Sequence, residues 1–342
     1  MTVDATLMRQ EINEIPDAVD RLLSHGGEEI RVAANAARDL DPLFLLSVAR
    51  GSSDHACTFL KYASELVLRR PMASVGPSVK SIYDVDLIAQ GALCLSVSQS
   101  GMSPDIVRMT SSVADAGGMT VAITNDPASS LAQVSSNTLP IHAGPEISVA
   151  ATKTFVTSLV AGLWLIAEIK QDADLIAAIN ALPTHLAAAT TCDWSDAAAV
   201  MDGRSLFTLG RGPSWAIANE AALKFKETCL IHAESYSSAE VLHGPVSIVE
   251  QGFPVIGFAA GDAADANLAE VADALADKGA KVFATSTKLN RAKTLPHIRT
   301  EHWLTDPIAA IVSFYGMVEA VARSRGINPD TPRHLKKVTE TV

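Results

Sequence analysis

Cysteine is scarce in this chain of 342 residues, and no spacing pairs it for a metal or a disulfide. The four cysteines lie far apart without a CxxC motif, at Cys57, Cys94, Cys192 and Cys229. The histidines show neither HxxxH nor HExxH spacing. Such paired spacings mark structural zinc sites and zinc-dependent hydrolases. We therefore expect ordinary buried thiols, with no structural metal and no disulfide framework.

A basic excess and long apolar runs are also missing. Lys and Arg number 27 against 38 Asp and Glu, which gives a net charge of −11. A general nucleic-acid binder needs a basic stripe, so we expect no nucleic-acid partner. The longest apolar stretch, residues 159–169, is interrupted by Glu168 and is too short to span a membrane. The first residues match neither a secretory leader nor a lipidation motif, so the sequence predicts a cytoplasmic protein without membrane contact.

Apolar residues are abundant, at 48% of the chain, whereas 5% is aromatic and 19% is charged. Such a high apolar share excludes a disordered chain. The composition is typical of a helix-rich α/β protein with large buried cores. The length accommodates two domains of ordinary size or one large one.

The sequence repeats itself at an offset of 161 residues. Arg50–Ser53 aligns with Arg211–Ser214, and each segment follows a short apolar run and precedes a helical pattern. Further along, the same offset aligns Gly118 with Gly279 without a gap. A constant offset over about 75 residues indicates two copies of one domain.

Each copy alternates apolar runs of strand length with amphipathic helical segments. The runs predict strands at Leu43–Val48, Ala92–Val97 and Thr120–Thr124 in the first copy and at Ser205–Leu209, Phe253–Phe258 and Lys281–Thr285 in the second. Apolar strands between helices are typical of a parallel sheet covered on both faces. We predict an α/β protein with N-terminal helices over 1–40, a first domain over 41–170, a helical connector over 171–200, a second domain over 201–329 and a tail over 330–342.

A hydroxyl-rich loop follows the predicted strand Ala92–Val97. It contains Ser98, Gln99, Ser100, Gly101 and Ser103 and leads into a helix at Pro104. The carboxyl ends of parallel strands, where helix N-termini expose N–H groups, are the usual place for a phosphate. One serine would suffice as a helix cap, and the second copy has no hydroxyl at 259–262 and adds Asp262. The loop therefore predicts a phosphate-binding site.

The second copy instead contains a Lys–Glu pair. Lys224 and Glu227 share one face of a predicted helix, and at the repeat offset Glu227 aligns with Leu66. His243 follows in a Gly-Pro turn, after His232, Glu234 and Glu240. A carboxylate, a cation and an imidazole suit proton transfer next to a carbonyl. Spacing alone favours the alternative, in which the pair is a solvent-exposed salt bridge and the histidine ends an element.

Together these motifs resemble the sugar isomerase (SIS) family. The resemblance lies in Ser98–Gly101, Ala143–Glu146, Ala151–Phe155, Leu223–Glu227, Ile231–Glu234, His243–Pro245 and Pro332–Lys337. It covers nearly the whole chain and is greatest to the isomerase half of the glutamine:fructose-6-phosphate aminotransferases. It implies two tandem flavodoxin-like SIS domains, a hexose or hexosamine phosphate as substrate, and a homodimer with active sites shared between subunits. It implies no cofactor.

The resemblance also implies roles for single residues. Glu227 would move a proton between C1 and C2, and Lys224 would assist it. His243 would take part in ring opening from the other subunit, and Lys337 in the tail would form a Schiff base with the open-chain ketose. The sugar-phosphate contacts would be Gly51, Ser53, Ser98, Gln99, Ser100, Ser103, Val149 and Ala151.

Departures from the family pattern affect the expected reaction. Ala151 replaces a family serine, and residues 101–105 are more similar to stand-alone deaminases and isomerases of the family. The first SIS segment begins close to Met1, so we expect no glutaminase domain. We predict a deaminase that converts glucosamine 6-phosphate and water to fructose 6-phosphate and ammonia. The alternatives are an aldose–ketose isomerase of galactosamine or tagatose type, the isomerase component of a glutamine–fructose-6-phosphate transaminase, and a non-catalytic sugar-phosphate sensor.

Overall fold

A computed structural model describes residues 5–337. The described residues form two units, each built around its own sheet and each drawn from several parts of the chain. The first-sheet unit contains residues 17–146, 153–180 and 336–337, and the second-sheet unit contains residues 5–16, 147–152 and 181–335. The domain limits expected from the sequence stay a prediction.

The elements up to residue 170 alternate between helices and strands after three leading helices. They are α1 (Leu7–Asn13), α2 (Ile15–His25), α3 (Gly27–Leu40), β1 (Phe44–Val48), α4 (Ser52–Ala63), β2 (Met72–Ser74), α5 (Ser78–Ser81), β3 (Ala92–Val97), α6 (Pro104–Asp115), β4 (Met119–Thr124), α7 (Ser130–Gln133), β5 (Asn137–Pro140) and α8 (Lys153–Lys170). A π-helical turn over Ser64–Leu68 continues α4.

The elements after residue 170 follow the same alternation. They are α9 (Ala173–Ala189), α10 (Ser195–Ala198), β6 (Ser205–Gly210), α11 (Pro213–Cys229), β7 (His232–Ser237), β8 (Pro254–Phe258), α12 (Asp265–Asp277), β9 (Lys281–Ala284), β10 (Lys293–Thr294) and α13 (Asp306–Ser324). Two 3₁₀ turns, Glu240–Leu242 and Pro245–Ile248, lie between β7 and β8.

Both sheets are parallel and have five strands among the described residues. The first has the order β2-β1-β3-β4-β5, and the second has the order β7-β6-β8-β9-β10. Numbered within each sheet, both orders read 2-1-3-4-5, which is the flavodoxin-like arrangement. With helices flanking both sheets, the predicted α/β fold with parallel sheets is confirmed.

Central strands and one covering helix form the same kind of core in each unit. In the first-sheet unit, Val48 and Cys94 from the strands pack with Met109 and Val113 of α6. In the second-sheet unit, Phe207 and Val255 from the strands pack with Val271 and Leu275 of α12. All six residues of β3 are buried, as expected for a strand covered on both faces.

Edge strands escaped the sequence prediction, because they are short and half polar. β7 has the sequence HAESYS and only one buried residue, and β10 has two exposed residues. Neither presents the continuous apolar run by which a central strand is recognised. The six predicted strands are all present, with ends shifted by at most one residue.

The helices were compared with the length and apolar character of a membrane-spanning helix. Within residues 5–337, none combines the length and the apolar character that a span requires.

Candidate functional site

The hydroxyl-rich loop over residues 98–103 joins β3 to α6 and is held against the end of β4. Ser98 N–H donates to the Ile123 carbonyl at 3.1 Å, and Asn125 N–H donates to the Gln99 carbonyl at 3.0 Å. Leu131 N–H donates to the carbonyl of Gly101 at 3.0 Å. These bonds fix the loop at the carboxyl edge of the first sheet, where a parallel α/β sheet binds its ligands.

Glycine is required at position 101. Its φ of +61° lies in the left-handed region, and a Cβ there would come within 2.1 Å of the Ser129 hydroxyl. The Thr124 hydroxyl would lie 3.0 Å away on the same side. The loop is therefore tightly packed on its inner side.

The loop hydroxyls are arranged differently from a simple helix cap. The Ser98 hydroxyl accepts from Gly101 N–H at 3.2 Å, and the Ser100 hydroxyl accepts from Met102 N–H at 3.3 Å. Ser103 occupies the N-cap position of α6 without a side-chain cap hydrogen bond. A hydroxyl that accepts a bond keeps its own hydrogen for donation. Apart from Ser98, which is buried, the loop's polar side chains are partly exposed, so they can reach a ligand oxygen.

The loop between β1 and α4 lies at the same edge, because β1 and β3 are neighbours. Val48 at the end of β1 pairs with Ser96 near the end of β3. Gly51 caps α4 with φ 56° and ψ −133°, a conformation that L side chains rarely adopt. Ser53 follows, partly exposed, in the first turn of α4. The predicted contacts of the first sheet, Gly51 and Ser53 with the 98–103 loop, thus share one edge.

An ion pair joins these two loops and was missed by the sequence reasoning. The Arg50 guanidinium donates through Nε and Nη2 to one oxygen of Asp105, at 3.0 and 2.8 Å. The Asp105 side chain is fully buried, whereas half of the Arg50 side chain is exposed. The other carboxylate oxygen of Asp105 accepts from Ile106 N–H at 2.9 Å. The pair therefore places a fixed charge beside the hydroxyl-rich loop.

Lys337, the predicted tail lysine, contacts a buried carboxylate in the first-sheet unit. Its Nζ lies 2.8 Å from Oε2 of Glu146, whose side chain is fully buried. The same carboxylate accepts from the Thr154 hydroxyl at 2.6 Å and from Thr154 N–H at 3.1 Å. Glu146 therefore bridges the last described residue to the N-terminus of α8.

Val149 and Ala151 lie in the segment between β5 and α8, which belongs to the second-sheet unit. Val149 N–H donates to the Asp330 carbonyl at 3.2 Å. Ser148 N–H donates to a carboxylate oxygen of Glu11 at 3.3 Å, and Ile147 N–H donates to the same oxygen. Both predicted sugar-lining residues are partly exposed.

The Lys–Glu pair of α11 is not a solvent-exposed salt bridge. Lys224 Nζ lies 2.5 Å from Oε2 of Glu227 and 3.3 Å from Oε1 of Glu220. The side chains of Lys224 and Glu220 are fully buried, whereas Glu227 is 21% exposed. The Tyr315 hydroxyl lies 3.3 Å from Glu220 Oε1. One buried cation thus holds two carboxylates, of which only Glu227 reaches solvent.

Lys224 stays charged despite its burial. Burial favours the neutral amine, but the neighbouring Glu220 and Glu227 carboxylates outweigh it, so the pKa of Lys224 lies above its ordinary value. A charged lysine can hold Glu227 in one orientation and can stabilise a developing oxyanion, although its raised pKa makes it a weaker acid than an ordinary lysine. This pair has the components of a base with an adjacent acid.

His243 lies apart from this pair. It caps the first 3₁₀ turn after β7, and its side chain is exposed. Within residues 5–337, its ring makes no hydrogen bond to Lys224 or Glu227. His232 begins β7 and pairs with Ser205 at the start of β6, so it lies at the amino edge of the second sheet. Parallel α/β sheets usually bind ligands at the opposite, carboxyl edge.

The second sheet closes the position that corresponds to the hydroxyl-rich loop. There, Oδ2 of Asp306 accepts from Gly261 N–H at 2.7 Å, and Oδ1 accepts from Thr300 N–H at 2.7 Å. Arg299 donates to the Ala259 carbonyl at 2.8 Å and to Asp306 at 3.3 Å. A carboxylate of the protein itself thus accepts from Gly261 N–H of this loop.

Comparison with known proteins identifies the family. The chain matches the SIS domain over residues 45–168 and 200–312. It is 30% identical over 341 residues to a glutamine–fructose-6-phosphate aminotransferase (isomerizing) of Sulfolobus acidocaldarius, across 96% of this chain and 56% of that protein. The chain thus spans little more than half the length of this curated relative.

Two solved structures extend the likeness to three dimensions. A candidate phosphosugar isomerase from Silicibacter pomeroyi DSS-3 is 62% identical, with a TM-score of 0.93 over 95% of this chain and 100% of that one. The C-terminal domain of glucosamine-fructose-6-phosphate aminotransferase from Francisella tularensis is 25% identical, with a TM-score of 0.81 over 96% of this chain and 99% of that one. The two matched segments contain both sheets, and the protein belongs to the SIS domain family.

Proposed function

We propose that this protein is a phosphosugar isomerase that deaminates glucosamine 6-phosphate, giving fructose 6-phosphate and ammonia. The observation that carries the proposal is the buried ion cluster of α11, in which a fully buried Lys224 holds the partly exposed Glu227. A surface ion pair contributes little to stability, whereas a buried one is costly to desolvate. Burial of these charges near the C-terminal end of α11 in a SIS protein favours a chemical role.

The names of similar proteins support the substrate class. The Silicibacter pomeroyi DSS-3 protein is described as a candidate phosphosugar isomerase, and the curated relative isomerises a fructose 6-phosphate. The first name indicates a sugar phosphate, and the second indicates fructose 6-phosphate and an isomerisation. The hydroxyl-rich loop of the first sheet offers neutral donors for the phosphate, at the N-terminus of α6.

The proposed reaction begins with substrate binding. Ser98, Gln99, Ser100 and Ser103 bind the phosphate, and Gly51 and Ser53 add donors from the neighbouring loop. Val149 and Ala151 contact the sugar. Positioning of this kind is worth several orders of magnitude in rate, because it turns an encounter into a reaction within one complex.

Proton transfer follows ring opening. His243 of the partner subunit opens the pyranose, which exposes the C1 aldehyde. The Glu227 carboxylate removes the proton from C2 while Lys224 protonates O1, giving an enolamine. Glu227 then returns the proton to C1, leaving a C2 imine and a C1 hydroxymethyl group.

Hydrolysis completes the reaction. Water adds to the C2 imine, ammonia leaves, and fructose 6-phosphate remains. The role proposed for Lys337 is a Schiff base with the open-chain ketose, whose formation releases one water and whose hydrolysis takes one up; it requires the amine to leave its ion pair with Glu146 and lose a proton. Atoms balance with water as the one co-reactant.

The test is an assay for ammonia release from glucosamine 6-phosphate with matched variants. We expect Glu227→Gln to abolish turnover while substrate still binds, because the amide cannot accept the C2 proton. Glu250→Gln, at an exposed position of the same unit, is the control and should behave as wild type. Normal activity in the Glu227 variant would overturn the assignment.

A second candidate is an aldose–ketose isomerase without ammonia release. The Silicibacter pomeroyi DSS-3 protein, 62% identical, favours it, since its name gives isomerisation and no deamination. Turnover of hexose 6-phosphates or of the galacto epimer, without ammonia, would favour this reading. Tight binding without turnover of any substrate would instead identify a sensor.

A homodimer with shared sites is part of the proposal. His243 is exposed and forms no hydrogen bond or ion pair with Glu227 within the described residues, which fits a histidine that acts in the partner's site. Mixing an inactive Glu227→Gln protein with an inactive His243→Asn protein should then restore activity in one site of the mixed dimer. Additive loss without any recovery would contradict shared sites.

A further inference from the structure

The Arg50–Asp105 pair connects the two loops that form the carboxyl edge of the first sheet. Arg50 directly precedes Gly51, the cap of α4, and Asp105 lies in the first turn of α6, two residues after Ser103. The guanidinium binds one carboxylate oxygen with two of its nitrogens, at 3.0 and 2.8 Å. This contact spans 55 positions of sequence and orients both loops.

Asp105 would oppose an anion at this edge if it stood alone. Its side chain is fully buried, so water screens its charge poorly. A helix N-terminus favours a phosphate, but a carboxylate one turn inside that terminus repels it. Arg50 neutralises this charge and keeps half of its own side chain exposed at the edge where the ligand would bind.

The second sheet shows that the fold does not require such a pair. Arg211 occupies the position that corresponds to Arg50, and its Nη1 lies 3.5 Å from the Ser237 hydroxyl. At the same offset, Asp105 corresponds to Ala266. The neighbouring Asp265 is buried in the first turn of α12, but it pairs with Lys288 at 3.1 Å and not with Arg211. An arginine that joins the two loops through an acid is therefore found only in the copy whose loop carries the hydroxyls.

We propose that Arg50 is a positioning residue that sets the charge of the phosphate site, by neutralising Asp105 and exposing one guanidinium edge to the bound dianion. The inference rests on the proposed function, because it takes the 98–103 loop as the phosphate site. It adds a charged residue to a site that otherwise consists of neutral donors. Without Arg50, the site would present a net negative charge to a phosphate ester.

The experiment measures by calorimetry the binding of inorganic phosphate, and of glucosamine 6-phosphate with Glu227→Gln added to every protein so that no turnover occurs. The variants are Arg50→Met, Arg50→Lys, Asp105→Asn and the double variant Arg50→Met/Asp105→Asn. Arg108→Met, an exposed arginine of α6, is the matched control. Thermal unfolding shows whether each variant is folded. If Arg50→Met does not fold, the two single variants Arg50→Lys and Asp105→Asn are used for the test.

We expect Arg50→Met to weaken phosphate binding about tenfold or more, because a charge at this range acts through poorly screened protein. Arg50→Lys keeps the charge and should stay within about threefold of wild type. Asp105→Asn should not weaken binding, and the double variant should recover the part of the loss that the uncompensated Asp105 charge causes, binding measurably tighter than Arg50→Met. The affinity ratio between pH 8 and pH 6, which follows the phosphate charge, should fall in Arg50→Met alone.

A purely structural link between the loops predicts the opposite pattern. The double variant would then bind phosphate as weakly as Arg50→Met, and the ratio of affinities at pH 8 and pH 6 would be the same as in the wild type. Either result overturns the inference. Wild-type phosphate affinity in Arg50→Met also overturns it. Ser100→Ala separates the two proposals. If this variant weakens binding while the Arg50 series does not, the phosphate site stands and only the role of Arg50 fails.

Discussion

Removal of the buried cation in α11 gives the most demanding test of the ion cluster. Lys224→Met replaces a fully buried ammonium with an apolar side chain of similar length and leaves Glu220, also fully buried, without its lysine. Loss of one partner from a buried pair costs about 3–5 kcal/mol of unfolding free energy. For a chain of this size we therefore expect a large fall in stability together with loss of turnover.

The pH dependence should separate charge from packing. In the wild type the pKa of Lys224 is raised, chiefly by Glu220 and Glu227 acting against burial, so the cluster contributes in full below about pH 10 and is lost only as the pH rises further. In the variant, a buried carboxylate is tolerated only when it is protonated. The deficit should therefore be greatest near pH 8 and shrink toward about pH 5.

The assay is urea unfolding of the whole chain at several pH values, monitored by circular dichroism. Lys226→Met, an exposed neighbour on the same helix, should change stability by no more than about 0.5 kcal/mol. The double variant Glu220→Gln/Lys224→Met should regain much of the loss, because it removes both buried charges. Equal effects of the two lysine variants, or a deficit that does not vary with pH, would refute the reasoning.

Two further predictions concern the first-sheet unit and the thiols. Gly101→Ala should destabilise the protein by about 2–5 kcal/mol, since it adds a steric clash to backbone strain. Gly51→Ala should cost about 1–3 kcal/mol from strain alone, because nothing lies within 4 Å of a Cβ there. Equal losses of stability in urea unfolding would contradict this packing. Burial raises the pKa of the Cys94 thiol to about 12. At pH 8, a thiol reagent should therefore label only Cys192 in the native protein. Unfolding in urea should expose Cys57, Cys94 and Cys229 to the reagent. Rapid labelling of more than one thiol in the native protein would contradict their burial.

The central strands of both sheets could be predicted because burial on two faces leaves a continuous apolar run. β3 is the clearest case, with six buried residues and limits that match the prediction. Edge strands carry no such run, since one side of their backbone faces solvent. β7 alternates polar and small residues, so its pairing with β6 depends on the fold and not on local pattern.

Local motifs of the candidate site were also predictable, whereas distant partners were not. The spacing of three residues placed Lys224 and Glu227 on one face of α11, but it could not reveal that this face is buried. Glu220, four residues earlier, was missed for the same reason. Arg50 and Asp105 are 55 positions apart, and Glu146 and Lys337 are 191 apart. Only the folded chain brings such pairs together.

The carboxylate of Asp306 has a consequence for how many ligands one chain can hold. Its oxygens already accept from Gly261 N–H and Thr300 N–H, and Arg299 lies 3.3 Å away. An incoming phosphate would have to displace a group that is tethered to the chain and therefore present at very high local concentration. The two sheets have the same strand order, yet under the proposed function we expect only the first to bind a phosphate ester, one for each polypeptide.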